Sequence, residues 1–354
     1  MSQFHKLKVK GIIKETKDTV SVSFDLPSNL FESFKFKAGQ YLTLKCMVNG
    51  EECRRSYSIC SSPINNDPLT VAVKKVINGK VSNYLNNDLS VGDEIEVMEP
   101  QGNFVIENQI NQENKFVAFA AGSGITPIMS MIKDVSDENS KTKFLLFYGN
   151  KTQEDVIFKN QLDNLVSDRI EIHYLYTQQP AISSLLSGRI NSSKTTDLMK
   201  SKMDWLNADG FYMCGPEQMI MDIKESLQNF GVVEDKINYE LFTVPVLMGG
   251  ENKPVEVEDD FDGDSMVTVI CDDEEVEFEL SMDGDTILDA AMDEDLDVPF
   301  SCKGAVCCTC KAKVVEGKVI MDANYALSEQ EVEDGYVLAC QAHPASSKVI
   351  VDFD

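Results

Sequence analysis

The stretch Cys302-Lys-Gly-Ala-Val-Cys307-Cys308-Thr-Cys310, with Cys340 following 30 positions later, decides how the carboxy-terminal part of the chain is read. A spacing of C-x4-C-x2-C…C puts three thiolates on one short loop and a fourth beyond it, the plant-type arrangement for a [2Fe–2S] cluster. Cys302, Cys307, Cys310 and Cys340 are therefore the candidate metal ligands. Cys308 is the spare: using it in place of Cys307 gives spacings of five and one, so it is assigned to packing. A structural zinc site stays open as an alternative, although such sites usually pair cysteines as C-x2–4-C twice. A Rieske centre needs two histidines, and His343 is the only one after the linker; it reads as a surface or capping residue before Pro344.

Outward from this loop, six of the ten cysteines fall in the last 84 residues (Cys271, Cys302, Cys307, Cys308, Cys310, Cys340). Clustering of this kind suits metal binding in a reducing compartment better than a disulfide framework. Charge is uneven as well. The 354 residues carry 32 Lys+Arg against 59 Asp+Glu, a formal charge of −27, which disfavours phosphate backbones and anionic lipid and argues against a nucleic-acid binder. Between Glu251 and Phe300 there are 20 acidic residues and one basic residue, Lys253. The run GGENKPVEVEDDFDGDSM, 249–266, has no apolar period and reads as an acidic linker. The expected organisation is an antiparallel β-barrel over 1–108, a doubly wound α/β domain over 109–248, the linker, and a small α+β module over 267–354. Hydrophobic content of 43% is ordinary for a globular protein. Apolar stretches such as FVAFAA at 116–121 are far short of the roughly 20 residues of a membrane span. The first residues lack the apolar block of a secretory signal, and the chain is expected in the cytoplasm.

The first 110 residues read as strand throughout: in QYLTLKCMV, Leu42, Leu44, Cys46 and Val48 share one face, and PLTVAV and GDEIEV continue the pattern. From Lys115 strands alternate with helical stretches (KFVAFAA, TPIMSMIKDV, KFLLFYG, IFKNQLDNLV, IEIHYLYT, GFYMC, PEQMIMDIKESLQNFG), which implies a parallel doubly wound sheet.

Two further constellations carry chemistry. A flavin presents an anionic pyrophosphate and a flat redox-active ring. Arg55 and the backbone around Gly79, Val81 and Ser82 suit the first; Tyr57 and Ser58 suit the second, by packing on the ring and hydrogen bonding near its reactive nitrogen. Gly122-Ser-Gly124-Ile-Thr126-Pro127 lies between a strand and a helix, where glycines let the backbone approach a pyrophosphate and the helix start offers free N–H groups.

In order and spacing, Phe36-Lys-Ala-Gly39-Gln-Tyr41, Arg55–Ser58, Gly79–Leu85 and Pro100-Gln-Gly102-Asn-Phe104 resemble the ferredoxin–NADP reductase superfamily. Gly122–Pro127 and Cys214-Gly215-Pro216 resemble its two nucleotide loops, the second abutting the nicotinamide. The domain order resembles that of oxygenase reductases with a C-terminal plant-type ferredoxin. The tail, Met321-Asp-Ala-Asn-Tyr325-Ala-Leu included, is similar to the reductase components of phenylacetyl-CoA epoxidases. This resemblance implies a β-grasp fold for 267–354, FAD as the flavin, Ser58 and Cys214 at the hydride-transfer centre, and electrons passing from NAD(P)H through FAD and the [2Fe–2S] cluster to the di-iron subunit of a multicomponent oxygenase. Another oxygenase or an acyl desaturase as acceptor, and FMN in place of FAD, remain open. NADPH-using relatives commonly carry Ser-Arg where this chain has Thr177-Gln178-Gln179; without that arginine a 2′-phosphate lacks a charge-assisted partner, Lys151 and Arg189 being possible substitutes. The competing reading of another class is a non-enzymatic, zinc-stabilised interaction protein.

Overall fold

The structure is a computed structural model that describes residues 4–354 except 65–66, 107–111, 139, 246–260, 262 and 273. Six antiparallel strands come first: β1 (Phe4–Thr16), β2 (Thr19–Asp25), β3 (Tyr41–Val48), β4 (Glu51–Ser58), β5 (Thr70–Lys74) and β6 (Glu94–Met98), in the order β4-β3-β6-β1-β2-β5. A bridge between Ile59 and Val71 joins the end of β4 to β5 and closes the sheet into a barrel. Its core is Leu7, Val22, Leu42, Leu44, Val71, Val97 and their neighbours. The region is not strand throughout: α1 (Lys80–Asn87) follows β5. Only Val81, Ser82 and Leu85 of that helix are buried, too thin an apolar stripe to announce a helix by periodicity.

The second sheet is parallel: β7 (Lys115–Ala121), α2 (Ile125–Val135), β8 (Lys143–Asn150), α3 (Lys159–Leu165), β9 (Ile170–Tyr176), α4 (Ser192–Ser201), β10 (Gly210–Cys214), α5 (Glu217–Asn229) and β11 (Ile237–Glu240). The strand order is β11-β10-β7-β8-β9. Helices cover both faces, so central strands such as β7 are buried on both sides. The order reverses between β7 and β10, and ligands bind open α/β sheets at such a switch point, beyond the carboxyl ends of the strands.

The third unit is a mixed sheet, β13-β12-β18-β14-β16, with a separate β15–β17 pair. Its elements are β12 (Asp264–Cys271), β13 (Glu274–Ser281), α6 (Ile287–Asp293), β14 (Lys311–Glu316), β15 (Val319–Met321), α7 (Glu329–Glu333), β16 (Tyr336–Leu338), β17 (Ala342–Pro344) and β18 (Lys348–Asp352). Parallel β12–β18 pairing with α6 packed on the sheet is a β-grasp arrangement. Most of the acidic 249–266 segment lies outside the described residues, and its last three residues already belong to β12. Small Ser265 fills an inward position there, so the alternation is not an apolar one. Among the described residues no helix is long and apolar enough to cross a membrane.

Candidate functional site

The β3–β4 hairpin carries the first group. Side chains alternate along a strand, so Arg55 and Tyr57 share one face of β4, and Arg54, Ser56 and Ser58 the other. Arg55 is exposed, with Nη1 donating to the Arg54 carbonyl at 2.6 Å. Tyr57 packs against the barrel core, and burial raises its pKa. The start of α1 stands nearby: Lys80 Nζ is 2.6 Å from Glu51 Oε2 at the start of β4. Gly79 is the residue before that helix, Val81 is buried, and the Ser82 hydroxyl accepts from the Val76 amide at 3.1 Å, so it is engaged within its own loop.

The two glycine loops meet at the switch point. Gly122 has φ +55°, and a Cβ on Gly124 would lie 2.0 Å from the Cys214 carbonyl oxygen and 2.9 Å from the Gly215 nitrogen, so only glycine lets the loops touch. Thr126 is buried and donates to the Ser123 carbonyl at 3.0 Å. Pro216 caps the start of α5. At the end of β9, Gln179 Oε1 accepts from the Gln153 amide at 2.9 Å, while Gln178 and Lys151 are exposed.

Between barrel and parallel sheet the structure adds a residue the sequence reading missed. Ser58 Oγ donates to Glu240 Oε2 at 3.2 Å; Ser58 is buried and Glu240 half-buried. Burial pushes the Glu240 carboxyl up to about 8, with the Ser58 hydrogen bond opposing. Cys214 is fully buried, which raises its thiol well above the usual range, and the nearby Glu240 charge adds to this. Ser58, Cys214 and Glu240 thus converge from β4, β10 and β11. Glu240 closes the short strand INYE, a place where one carboxylate has no local signature.

In the cysteine loop, Lys303 and Ala305 adopt left-handed backbone (φ +48° and +60°) and aim amides at sulfur. The Gly304 N–H donates to Cys302 Sγ at 3.3 Å, and Cys307 Sγ is 3.1 Å from Cys302 Sγ. The Cys307 thiol and then the backbone amides pull Cys302 down to about 6, and the Cys310 thiol lowers Cys340 in the same way. The four candidate ligands therefore form two pairs, Cys302/Cys307 and Cys310/Cys340. Among the described residues no three His, Cys, Asp or Glu side chains converge on one point. Two thiol pairs, one for each iron, are what a two-iron cluster takes, so the donor set fits [2Fe–2S]. Cys308 turns aside, with its Sγ 3.4 Å from the Ala326 carbonyl. His343 is buried in β17, not superficial; its Nε2 is 3.2 Å from Asp322 Oδ2.

Barrel, dinucleotide sheet and cysteine module in one chain define an NAD(P)H-dependent iron–sulfur flavoprotein reductase. Residues 6–106 match the oxidoreductase FAD-binding domain, 119–225 the oxidoreductase NAD-binding domain and 269–345 the 2Fe-2S iron-sulfur cluster binding domain. The chain is 39% identical over 357 residues to one of the subunits of the 1,2-phenylacetyl-CoA epoxidase of Escherichia coli K12, covering 100% of this chain and 99% of the relative. It is 30% identical to the ferredoxin reductase component of 3-ketosteroid-9-alpha-monooxygenase of Rhodococcus rhodochrous, covering 98% and 96%. Phthalate dioxygenase reductase has the same fold, with a TM-score of 0.59 at 23% identity over 99% of this chain and 98% of that one. The chain belongs to the family of flavin- and [2Fe–2S]-containing reductase components of oxygenases.

Proposed function

We propose that this chain supplies electrons from NAD(P)H to the di-iron subunit of a phenylacetyl-CoA epoxidase in phenylacetate catabolism, in the cytoplasm. The observation that carries the reading is 39% identity to a component of such an epoxidase in an alignment that spans all three units, cluster module included. When bound, FAD takes up two electrons together and releases them singly, and the [2Fe–2S] cluster takes single electrons; no acid–base triad is required.

The chain's residues bind, orient and exclude water. Arg55, with the backbone at Gly79, Val81 and Ser82, holds the flavin pyrophosphate; Tyr57 packs on the ring. Gly122, Gly124 and Thr126 shape the turn that receives the dinucleotide pyrophosphate, and Cys214, Gly215 and Pro216 border the nicotinamide. The Ser58 hydroxyl lies at the reacting edge, and Glu240 behind it keeps a proton on that side through neutral pH. Cys302, Cys307, Cys310 and Cys340 ligate the cluster.

The test is reconstitution with the purified epoxidase components and phenylacetyl-CoA. Substrate-dependent NAD(P)H consumption with product formation is expected. Failure there, with success on another oxygenase or an acyl desaturase, would move the acceptor to that protein. Nucleotide preference is checked separately: Gln178→Arg places a cation beside the end of β9 and is expected to shift the NADPH/NADH ratio of kcat/KM upward. An unchanged ratio would mean that Gln178 does not face the ribose.

A further inference from the structure

A barrel exterior is expected to face water, yet the outer face of β3–β4 is polar and largely buried. Tyr41, Thr43 and Arg54 are buried on it and Ser56 is half-buried, and each meets the cluster module. Thr309, which lies between ligands Cys307 and Cys310, has its Oγ1 3.3 Å from the hydroxyls of both Tyr41 and Thr43. The Cys308 amide donates to the Tyr41 hydroxyl at 2.9 Å, and Ser56 Oγ is 2.9 Å from Ser301 Oγ, next to Cys302.

Arg54 makes the most contacts across this junction. Nη2 is 2.7 Å from Asp297 Oδ1, Nη1 donates to the Val298 carbonyl at 3.2 Å, and Nε is 2.9 Å from Glu52 Oε1. The guanidinium also lies 4.3 Å over the Phe300 ring and 5.2 Å from that of Phe4. Arg54 is only 6% exposed. Burying a guanidinium is costly unless its donors are used, and here a carboxylate, a carbonyl and a ring that use them belong to the module. Those compensations exist only in this docked geometry, so the arginine selects one orientation where a merely greasy surface would accept many. Charge supports the same conclusion. Residues 267–354 contain 21 Asp+Glu and 5 Lys with no arginine, whereas residues 1–108 contain 13 of each sign. The barrel provides the cation that the module lacks.

We propose that the outer face of β3–β4 is the docking surface on which the cysteine loop is loaded with electrons, and that Arg54 is its positioning residue. Arg54 makes its contacts with Glu52, Asp297, Val298, Phe300 and Phe4 and not with the cysteines. It acts by holding the loop 302–310 against the hairpin whose other face carries Arg55 and Tyr57. The proposal holds whichever oxygenase is served, so failure of the epoxidase assignment leaves it intact.

The test uses the full, cofactor-loaded chain. Arg54→Met keeps bulk and removes charge; Arg54→Lys keeps charge and loses the fork; Asp297→Asn attacks the pair from a side chain 76% exposed, where misfolding is not a concern. Flavin and cluster reduction by NADH or NADPH are followed separately by stopped-flow absorbance without oxygen. Flavin reduction and reduction of a small dye are expected at wild-type rates in all three variants. Cluster reduction is expected to slow by about tenfold or more in Arg54→Met, because the charge-assisted bond to Asp297, the donor to the Val298 carbonyl and the stack on Phe300 are lost together. It should slow less in Asp297→Asn and recover in part in Arg54→Lys, and the Arg54→Met/Asp297→Asn double variant should be no slower than Arg54→Met. Hydrogen exchange over 302–310 should rise in Arg54→Met, a readout independent of turnover. Wild-type cluster reduction in both Arg54→Met and Asp297→Asn overturns the proposal. Equal slowing of flavin and cluster reduction also overturns it, because Arg54 would then act on the flavin. If Arg54→Met does not fold, Asp297→Asn decides alone by the same criteria.

Discussion

The two faces of β4 offer the sharpest contrast in the molecule. Arg54 and Arg55 are adjacent, and the strand's period of two sends them in opposite directions. Arg55 is exposed on the face shared with Tyr57, while Arg54 is sealed between Asp297, Val298 and Phe300 on the face shared with Ser56 and Ser58. Arg55 and Tyr57 are candidate flavin residues on the first face; on the second, Ser56 meets Ser301 of the cluster module and Ser58 meets Glu240 of the nucleotide sheet. A single strand therefore connects all three units. Side chains of one type on neighbouring positions serve different partners.

The largest effect that bears on this contrast is loss of the cluster, which would leave the outer face with no purpose. Cys302→Ser, Cys307→Ser, Cys310→Ser and Cys340→Ser are each expected to abolish or disorder the iron–sulfur signal while flavin stays bound, because each removes half of a ligand pair. Cys308→Ser should keep the signal, since Cys308 Sγ faces the Ala326 carbonyl. Absorbance and EPR of the purified variants decide it. Loss of signal in Cys308→Ser with retention in Cys307→Ser would reverse the ligand assignment.

Next in size is the pH response of Glu240, on the Ser58 side of the contrast. Burial raises its carboxyl from an ordinary 4.5 to about 8, so the folded chain keeps a proton that the unfolded chain releases. This stabilising effect is fully present below about pH 4.5 and is lost as pH rises through 8, at up to about 1.4 kcal/mol per unit. Glu240→Gln lacks the titration, so its stability relative to wild type should climb between those limits. Denaturant unfolding across the range measures it. Parallel curves for the two proteins would show that Glu240 is ionised in the folded state.

The parts legible in the sequence are those whose chemistry is local. The C-x4-C-x2-C loop, the Gly122–Gly124 turn and the alternation of QYLTLKCMV are fixed by spacing or backbone geometry within a few residues, and the structure places each where it was expected. What escaped depends on distant neighbours. Arg54 meets Asp297 across 243 positions, and Ser58 meets Glu240 across 182; nothing near β4 says that a second domain covers it. Helix α4, SSKTTDLMKS, escaped for another reason. It buries only Thr195, Leu198 and Met199, and its Ser/Thr content reads as loop.

The paired arginines give the third test. Arg55→Ala is expected to weaken flavin retention by about 1.5–3 kcal/mol, the loss of one charge-assisted partner of a pyrophosphate, whereas Arg54→Met should purify with full flavin. The ratio of flavin to cluster iron is the measurement. Full occupancy in Arg55→Ala would remove its role, and a deficit in both would erase the distinction between the faces.

The smallest effect is expected at Tyr41, whose hydroxyl accepts the Cys308 amide. Burial raises the phenol's pKa well above its ordinary value, so it stays protonated and also pairs with Thr309. Tyr41→Phe preserves the ring, which packs beside Gly102, and leaves the Cys308 N–H without this acceptor. Such a loss costs about 1 kcal/mol when the donor stays buried, against the larger cost of removing a buried charge at Arg54. Cluster loading should slow a few-fold at unchanged flavin reduction, with faster exchange at the Cys308 amide. Thr43→Val is the control: it removes the contacts to Thr309 and to Ser56 but leaves the Tyr41–Cys308 bond in place. If Thr43→Val slows loading as much as Tyr41→Phe does, the amide bond is not what matters at this face. The docking would then rest on general complementarity around Thr309, with Arg54 as the charged element that sets direction.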